Sequence, residues 1–89
     1  MLHYEWDAHK AETNFRKHGI FFADAVSVFG DDYAITIQDE HPGEDRYIIL
    51  GEDDRGRLLV VIFTFRGDKI RIISARKAIG SELDDYQRE

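Results

Sequence analysis

Apolar positions along the 89-residue chain change their period once. Up to about residue 30 they recur three and four apart, and beyond it they alternate or run continuously. Ala8, Ala11 and Phe15 share the first spacing, as do Phe22, Ala25, Val26 and Phe29, which predicts helices over about Ala8–His18 and Phe22–Phe29. Asp7 is placed to cap the first helix, because a carboxylate there accepts from the free amides of the opening turn. Gly19 supplies the left-handed residue that ends it, and Gly30 stops the second. The two helices should form a compact hairpin, preceded by a short strand or lead-in over Leu2–Trp6. Lys10, Asn14 and Lys17 share a polar face of the first helix, with His18 beside it.

After Gly30 the runs are short and rich in β-branched and aromatic residues. They predict strands over Tyr33–Ile37, Arg46–Leu50, Leu58–Phe65 and Lys69–Arg76. Residues 38–45 read as a polar loop holding the only proline, and Glu52–Gly56 as a charged turn. Ser81 opens a last helix through about Arg88, with Leu83 and Tyr86 on one side. The whole predicts a single α+β domain over residues 1–89: an N-terminal strand and helical hairpin, a four-stranded, mostly antiparallel sheet, and a C-terminal helix.

Gly67-Asp68 has the form of a two-residue hairpin turn. It pairs Arg66 with Lys69, Thr64 with Arg71, Ile62 with Ile73 and Val60 with Ala75. Strand side chains alternate between faces. One face then carries Arg66, Lys69 and Arg71 near the turn, running into Ile62, Ile73 and Val60. The other carries Phe65, Phe63, Val61, Ile70 and Ile72, with Ser74 and Arg76 at its far end, and is the better core face. Three cations on one face are either solvated and paired with acids or form an anion site, where arginine offers a bidentate fork to phosphate.

Composition narrows the classes. Apolar residues make up 43%, enough for a packed core. The absence of cysteine excludes disulfides, thiolate metal sites and a cysteine nucleophile, and fits a cytoplasmic protein. No signal peptide or membrane span is expected, because the apolar runs are strand-sized. The net charge of −6 argues against binding nucleic acid by bulk electrostatics. Its distribution qualifies that argument. Residues 31–54 hold nine acids against Arg46, a net −8, whereas residues 55–77 hold seven cations against Asp68, a net +6. A local cationic face is compatible with RNA.

Read together, several segments resemble one family. They are EWD-x-x-K at Glu5–Lys10, Asn14, KHG at Lys17–Gly19, and Phe22 with Ala25. The second half adds E-D-R-x-x-x-x-G at Glu44–Gly51, LLVVIFTFR at Leu58–Arg66, RIISAR-x-A at Arg71–Ala78 and E-x-x-x-Y at Glu82–Tyr86. This order of motifs is similar to that of the BrnT toxins. The resemblance implies a RelE-like fold and an endoribonuclease toxin of a type II toxin–antitoxin system that cuts RNA and arrests translation. It further implies a BrnA-like ribbon-helix-helix antitoxin, a toxin–antitoxin hetero-oligomer, and operator DNA bound only through that complex. A second reading is a non-catalytic domain that binds the antitoxin and serves as co-repressor.

Metal-independent RNA cleavage needs a base for the 2′-hydroxyl, cations for the pentavalent phosphate and an acid for the leaving 5′-oxygen. Arg46, Arg66 and Arg76 are the candidate phosphate-binding catalytic groups, with Lys17 adding charge. His18, Glu82 and Tyr86 are the candidate proton carriers. Lys10, Asn14, Lys69 and Arg71 are the candidate RNA contacts. Each has a structural alternative: Arg76 paired with Glu82, Arg46 with Glu44, His18 on terminal helix carbonyls, Tyr86 as a core aromatic, and Lys10 and Asn14 on a solvated or partner face. His3, His9, His18 and His41 fall in no metal-ligand spacing, so no metal or cofactor is expected.

Overall fold

The structure, a computed structural model, describes residues 3–87. The elements are β1 (His3–Glu5), α1 (Ala8–His18), α2 (Phe22–Ala25) continued by a 3₁₀ helix (Val26–Gly30), β2 (Ile35–His41), β3 (Glu44–Glu52), β4 (Leu58–Arg66), β5 (Lys69–Lys77) and α3 (Ser81–Gln87). The expected bounds at Leu2 and Arg88 fall outside the described residues.

The strands form one sheet in the order β1-β5-β4-β3-β2. It has five strands rather than four, because the lead-in segment joins it: β1 pairs parallel to β5, with Tyr4 opposite Ile70. The other pairings are antiparallel. Residues 38–45 are not a loop. β2 and β3 run on to the pair His41–Glu44, and the chain reverses at Pro42-Gly43, where Gly43 takes φ 83°. Proline presets one turn residue and glycine tolerates the positive φ of the next. The polar residues that suggested a loop are the solvated positions of an edge hairpin.

Both caps of α1 form as expected. Asp7 Oδ2 accepts from the Lys10 amide at 2.9 Å, and the Gly19 amide, at φ 72°, donates to the Phe15 carbonyl at 2.8 Å. The buried stripe differs. Ala8 is exposed, Phe15 is 40% exposed and stacks on Phe21, and the buried residue of α1 is Asn14. Sheet topology explains this. β1 pairs with β5 only as far as Arg71, so the outer backbone edge of β5 at Ala75 has no strand partner. The Asn14 amide takes that place, donating to the Ala75 and Ile20 carbonyls at 2.9 and 3.1 Å and accepting from the Ala75 amide at 3.1 Å.

The core lies between the helices and one sheet face. Ile20, Phe22, Ala25 and Val28 pack on Ile49, Leu59, Val61, Phe63, Ile70, Ile72 and Ala75. Phe29 meets Phe63 edge-on with ring centroids 4.9 Å apart. Gly51 lets the 3₁₀ segment close on β3, since a Cβ there lies 2.9 Å from Val28 Cγ1 and 3.0 Å from Ala34 Cβ.

The β3–β4 turn is tied by Asp53, whose carboxylate is fully buried. Its Oδ1 accepts from the Arg55 and Arg57 amides at 3.1 and 2.8 Å, and its Oδ2 from Arg57 Nε at 2.8 Å. Burial alone raises the pKa of this carboxyl, but the donors outweigh it and hold it below the usual range. The same holds for Asp31, where burial is outweighed by the Glu52 amide, the Tyr86 hydroxyl and the Tyr33 amide. Groups with a depressed folded pKa stabilise the fold above their unfolded value and lose that contribution as pH falls through the folded one. Stability to urea is therefore expected to be flat above about pH 5 and to fall below about pH 4. Asp53→Asn should start less stable and show a shallower acid slope, measured by denaturation at several pH values.

Candidate functional site

The β4–β5 hairpin begins in the predicted register, with Arg66 opposite Lys69 and Thr64 opposite Arg71. A β-bulge between Ile62 and Phe63 then shifts it by one, so that Ile62 faces Ser74, Val61 faces Ala75 and Val60 faces Arg76. Ile73 is the extra residue on β5. Such an insertion re-aims every side chain beyond it. Ala75 turns into the core, and Arg76 turns to the face opposite it, where alternation also places Arg66, Lys69 and Arg71. On β3, alternation from Ile48 and Leu50 puts Arg46 on this same face. The face thus carries five cations, four of them on the hairpin. The expectation that Arg76 shares the core face is corrected by this bulge.

Acids meet most of these cations. Arg71 donates to Glu5 Oε2 at 2.8 Å, and Lys69 Nζ lies 3.8 Å from Glu5 Oε1. Arg46 Nε donates to Glu44 at 2.9 Å. Arg76 makes a two-pronged pair with Glu82, at 2.9 and 2.7 Å, while Glu82 also accepts from the Ile79 amide at 2.9 Å. Among the described residues Arg66 is exposed and makes no ion pair. Both structural alternatives for Arg76 and Arg46 are therefore realised. Pairs this solvated hold each other weakly, so a phosphate can compete for the guanidinium.

Beside Arg76 and Glu82 the face becomes an apolar groove of about 480 Å³. It is lined by Ile35, Ile37, Ile48, Leu50, Val60 and Ile62, with Asp85 of α3 beside them. The helix α3 is fastened at its far end, where the Tyr86 hydroxyl donates to Asp31 Oδ2 at 2.6 Å. Lys10, Lys17 and His18 gather elsewhere. With His9, Ile73 and Ser74 they line a cleft of about 340 Å³ between α1 and the free stretch of β5. Asn14 also borders this cleft, with both of its amide hydrogens donated to backbone carbonyls.

Residues 6–82 match the family described as ribonuclease toxin, BrnT, of type II toxin–antitoxin systems. The chain belongs to the BrnT family. It is also similar in structure to the Brucella abortus ribonuclease toxin BrnT, solved by crystallography at 1.1 Å resolution. That match has a TM-score of 0.66 and 28% sequence identity, and covers 90% of this chain and 99% of the Brucella chain. No curated protein sequence matches. Membership of a type II toxin family implies an antitoxin partner. No helix among the described residues is long and apolar enough to cross a membrane.

The electrostatics of this BrnT-family face limit which groups can carry protons. The hydrogen bond from Arg76 holds the Glu82 carboxyl below the usual range, so it stays ionised and is a weak base. The bond to Asp31 pushes the Tyr86 hydroxyl up to about 12, so it stays protonated and is already spent as a donor. Neither has the near-neutral pKa that favours general acid–base catalysis. Two elements of the site were not visible in the sequence. Glu5 and Asp31 lie 66 and 55 residues from the groups they hold. The apolar groove was not visible either, because its lining is gathered from three strands, β2, β3 and β4.

Proposed function

We propose that the chain is a metal-independent endoribonuclease toxin of the cytoplasm. In this reading it cleaves RNA to inhibit translation, is neutralised by a BrnA-like ribbon-helix-helix antitoxin, and with that antitoxin represses its own operon. The observation that carries the reading is the convergence of Arg46, Arg66, Lys69, Arg71 and Arg76 on one solvent-facing sheet surface within a chain of net charge −6.

Arg66, unpaired among the described residues, meets the RNA backbone first, with Lys69 and Arg71 beside it. Arg76 stabilises the charge that builds on the non-bridging phosphate oxygens as the 2′-hydroxyl gives its proton to water and attacks phosphorus, and the P–O5′ bond breaks with the 5′-oxygen taking a proton from water. Glu82 holds the Arg76 fork in place. Fixed cations aimed at developing charge are worth more than proton transfer by a poorly matched group, and here they supply most of the acceleration. His18, with Lys10 and Lys17, lies across β5 and extends the cationic surface towards α1.

The pairing of four of the five cations with acids favours one other reading, a non-catalytic antitoxin-binding co-repressor. Expression of the protein alone separates the two. The ribonuclease reading expects growth arrest and fragmented RNA with the wild type, cleavage by the purified protein in EDTA, and neither effect with Arg66→Ala. Its circular dichroism should be unchanged, since a solvated arginine contributes little to stability. A wild type that is harmless and leaves RNA intact while still binding the antitoxin defeats the ribonuclease reading.

A further inference from the structure

The apolar groove is not needed to hold a phosphate, and it lies beside an open sheet edge. β2 is the last strand of the sheet, and no described strand pairs with its outer side. Because the hairpin turn has two residues, His41 and Glu44 exchange the closing hydrogen bonds. The alternation from there points the backbone groups of Thr36, Gln38 and Glu40 away from β3. An edge whose three outward-facing residues have backbone groups unpaired by any described strand is a template for another strand.

The side chains beside that edge are of two kinds. Ile37 is 57% exposed, and with Ile35 it forms the outer wall of the groove floored by Ile48, Leu50, Val60 and Ile62. The surroundings are acidic. Residues 31–54, which contain all of β2 and β3, carry nine acids against Arg46, and α3 adds Glu82, Asp84 and Asp85. Arg46 and the groove-side cation Arg76 are already paired with Glu44 and Glu82. An extended segment that alternates aliphatic and basic residues fits this edge: its backbone pairs with β2, its aliphatic side chains extend the groove wall at Ile35 and Ile37, and its basic side chains fall on the opposite face, beside Glu40 and Asp45.

We propose that the outer edge of β2 and the adjoining groove dock an extended, basic, aliphatic-patterned segment of the partner protein by strand addition. The docking does not rest on the ribonuclease reading.

The test uses the ¹⁵N-labelled protein and three nine-residue peptides. One alternates Ile or Val with Lys or Arg, one has Glu at every basic position, and one is a scramble of the first. The alternating basic peptide is expected to slow hydrogen exchange at the Thr36, Gln38 and Glu40 amides at least about tenfold. Its affinity should fall with added salt. Ile37→Lys should weaken binding about tenfold or more, the loss expected for one buried aliphatic anchor. Glu40→Lys, at an exposed edge position, should weaken it without disturbing the fold, checked by the amide spectrum. The proposal is overturned if those three amides stay unprotected, if the acidic or scrambled peptide protects them equally, or if protection falls on the exposed Trp6, Phe15 and Phe21 surface. It is also overturned if they become protected with rising protein concentration alone, which assigns the edge to a second copy of the chain. RNA cleavage by the peptide-free protein is measured alongside. Protection without cleavage defeats the ribonuclease reading and leaves the docking site standing, and cleavage without protection does the reverse.

Discussion

Replacing Asn14 with Ala is expected to destabilise the protein by roughly 3 kcal/mol, lowering Tm by about 15 °C. The side chain is 7% exposed and makes three hydrogen bonds to backbone, two to the Ala75 peptide groups and one to the Ile20 carbonyl. Truncation leaves those three groups buried with no partner, and each such group costs about 1–3 kcal/mol. The loss is a large part of the 5–15 kcal/mol that holds a typical domain together. Asn14→Asp should be at least as damaging, because it keeps the size but sets a carboxylate against two carbonyl oxygens. Thermal unfolding followed by circular dichroism measures both. A Tm within a few degrees of the wild type for Asn14→Ala would show that α1 does not depend on this tie.

The second large effect concerns activity. Arg76→Ala should lower the rate of RNA cleavage by about 10²–10³, the loss found when one fixed donor to a developing oxyanion is removed. Arg76→Lys should recover little, since an ammonium cannot reproduce the two-pronged geometry seen with Glu82. Glu82→Gln should lose far less and leave the pH profile unchanged, because Glu82 positions the guanidinium and, held ionised by it, carries no proton near neutrality. Stability should hardly change, as the pair is partly solvated. Single-turnover cleavage of a defined RNA over a range of pH reads all three variants. If Glu82→Gln is as slow as Arg76→Ala and its profile loses an ionisation, Glu82 is a proton carrier and the positioning role is wrong.

Much of the architecture was legible because the signals are local. Asp7 and Gly19 bound α1 by satisfying amides and carbonyls within one turn. Gly67-Asp68 sets the register of Arg66 with Lys69 and Thr64 with Arg71. The cationic character of the Arg66, Lys69 and Arg71 face follows from that turn and from strand alternation. Other features failed for identifiable reasons. The Pro-Gly turn at Pro42-Gly43 was present in the sequence, but its polar flanks resemble a loop as much as an edge hairpin. The apolar spacing of α1 pointed to Phe15 where burial chose Asn14, because the deciding partner is an open stretch of β5 61 residues away.

By itself, then, the sequence determined the helices, the central strands, the mixed α+β class and the cationic hairpin, since these depend on contacts within a few residues. Its ordered motifs also pointed to the family. Only the tertiary structure decided which face Arg76 joins: the doubled Ile72-Ile73 breaks the alternation of β5 where the bulge falls, but the continuous apolar run of β4 gives no second pattern to fix the shifted register. It also decided the companions of the site: Glu5 on Arg71, Asp31 on Tyr86, and an apolar groove at an open edge. Each of these is a pairing of distant residues, and the strand order that creates it is set by how the whole chain buries one face of its sheet.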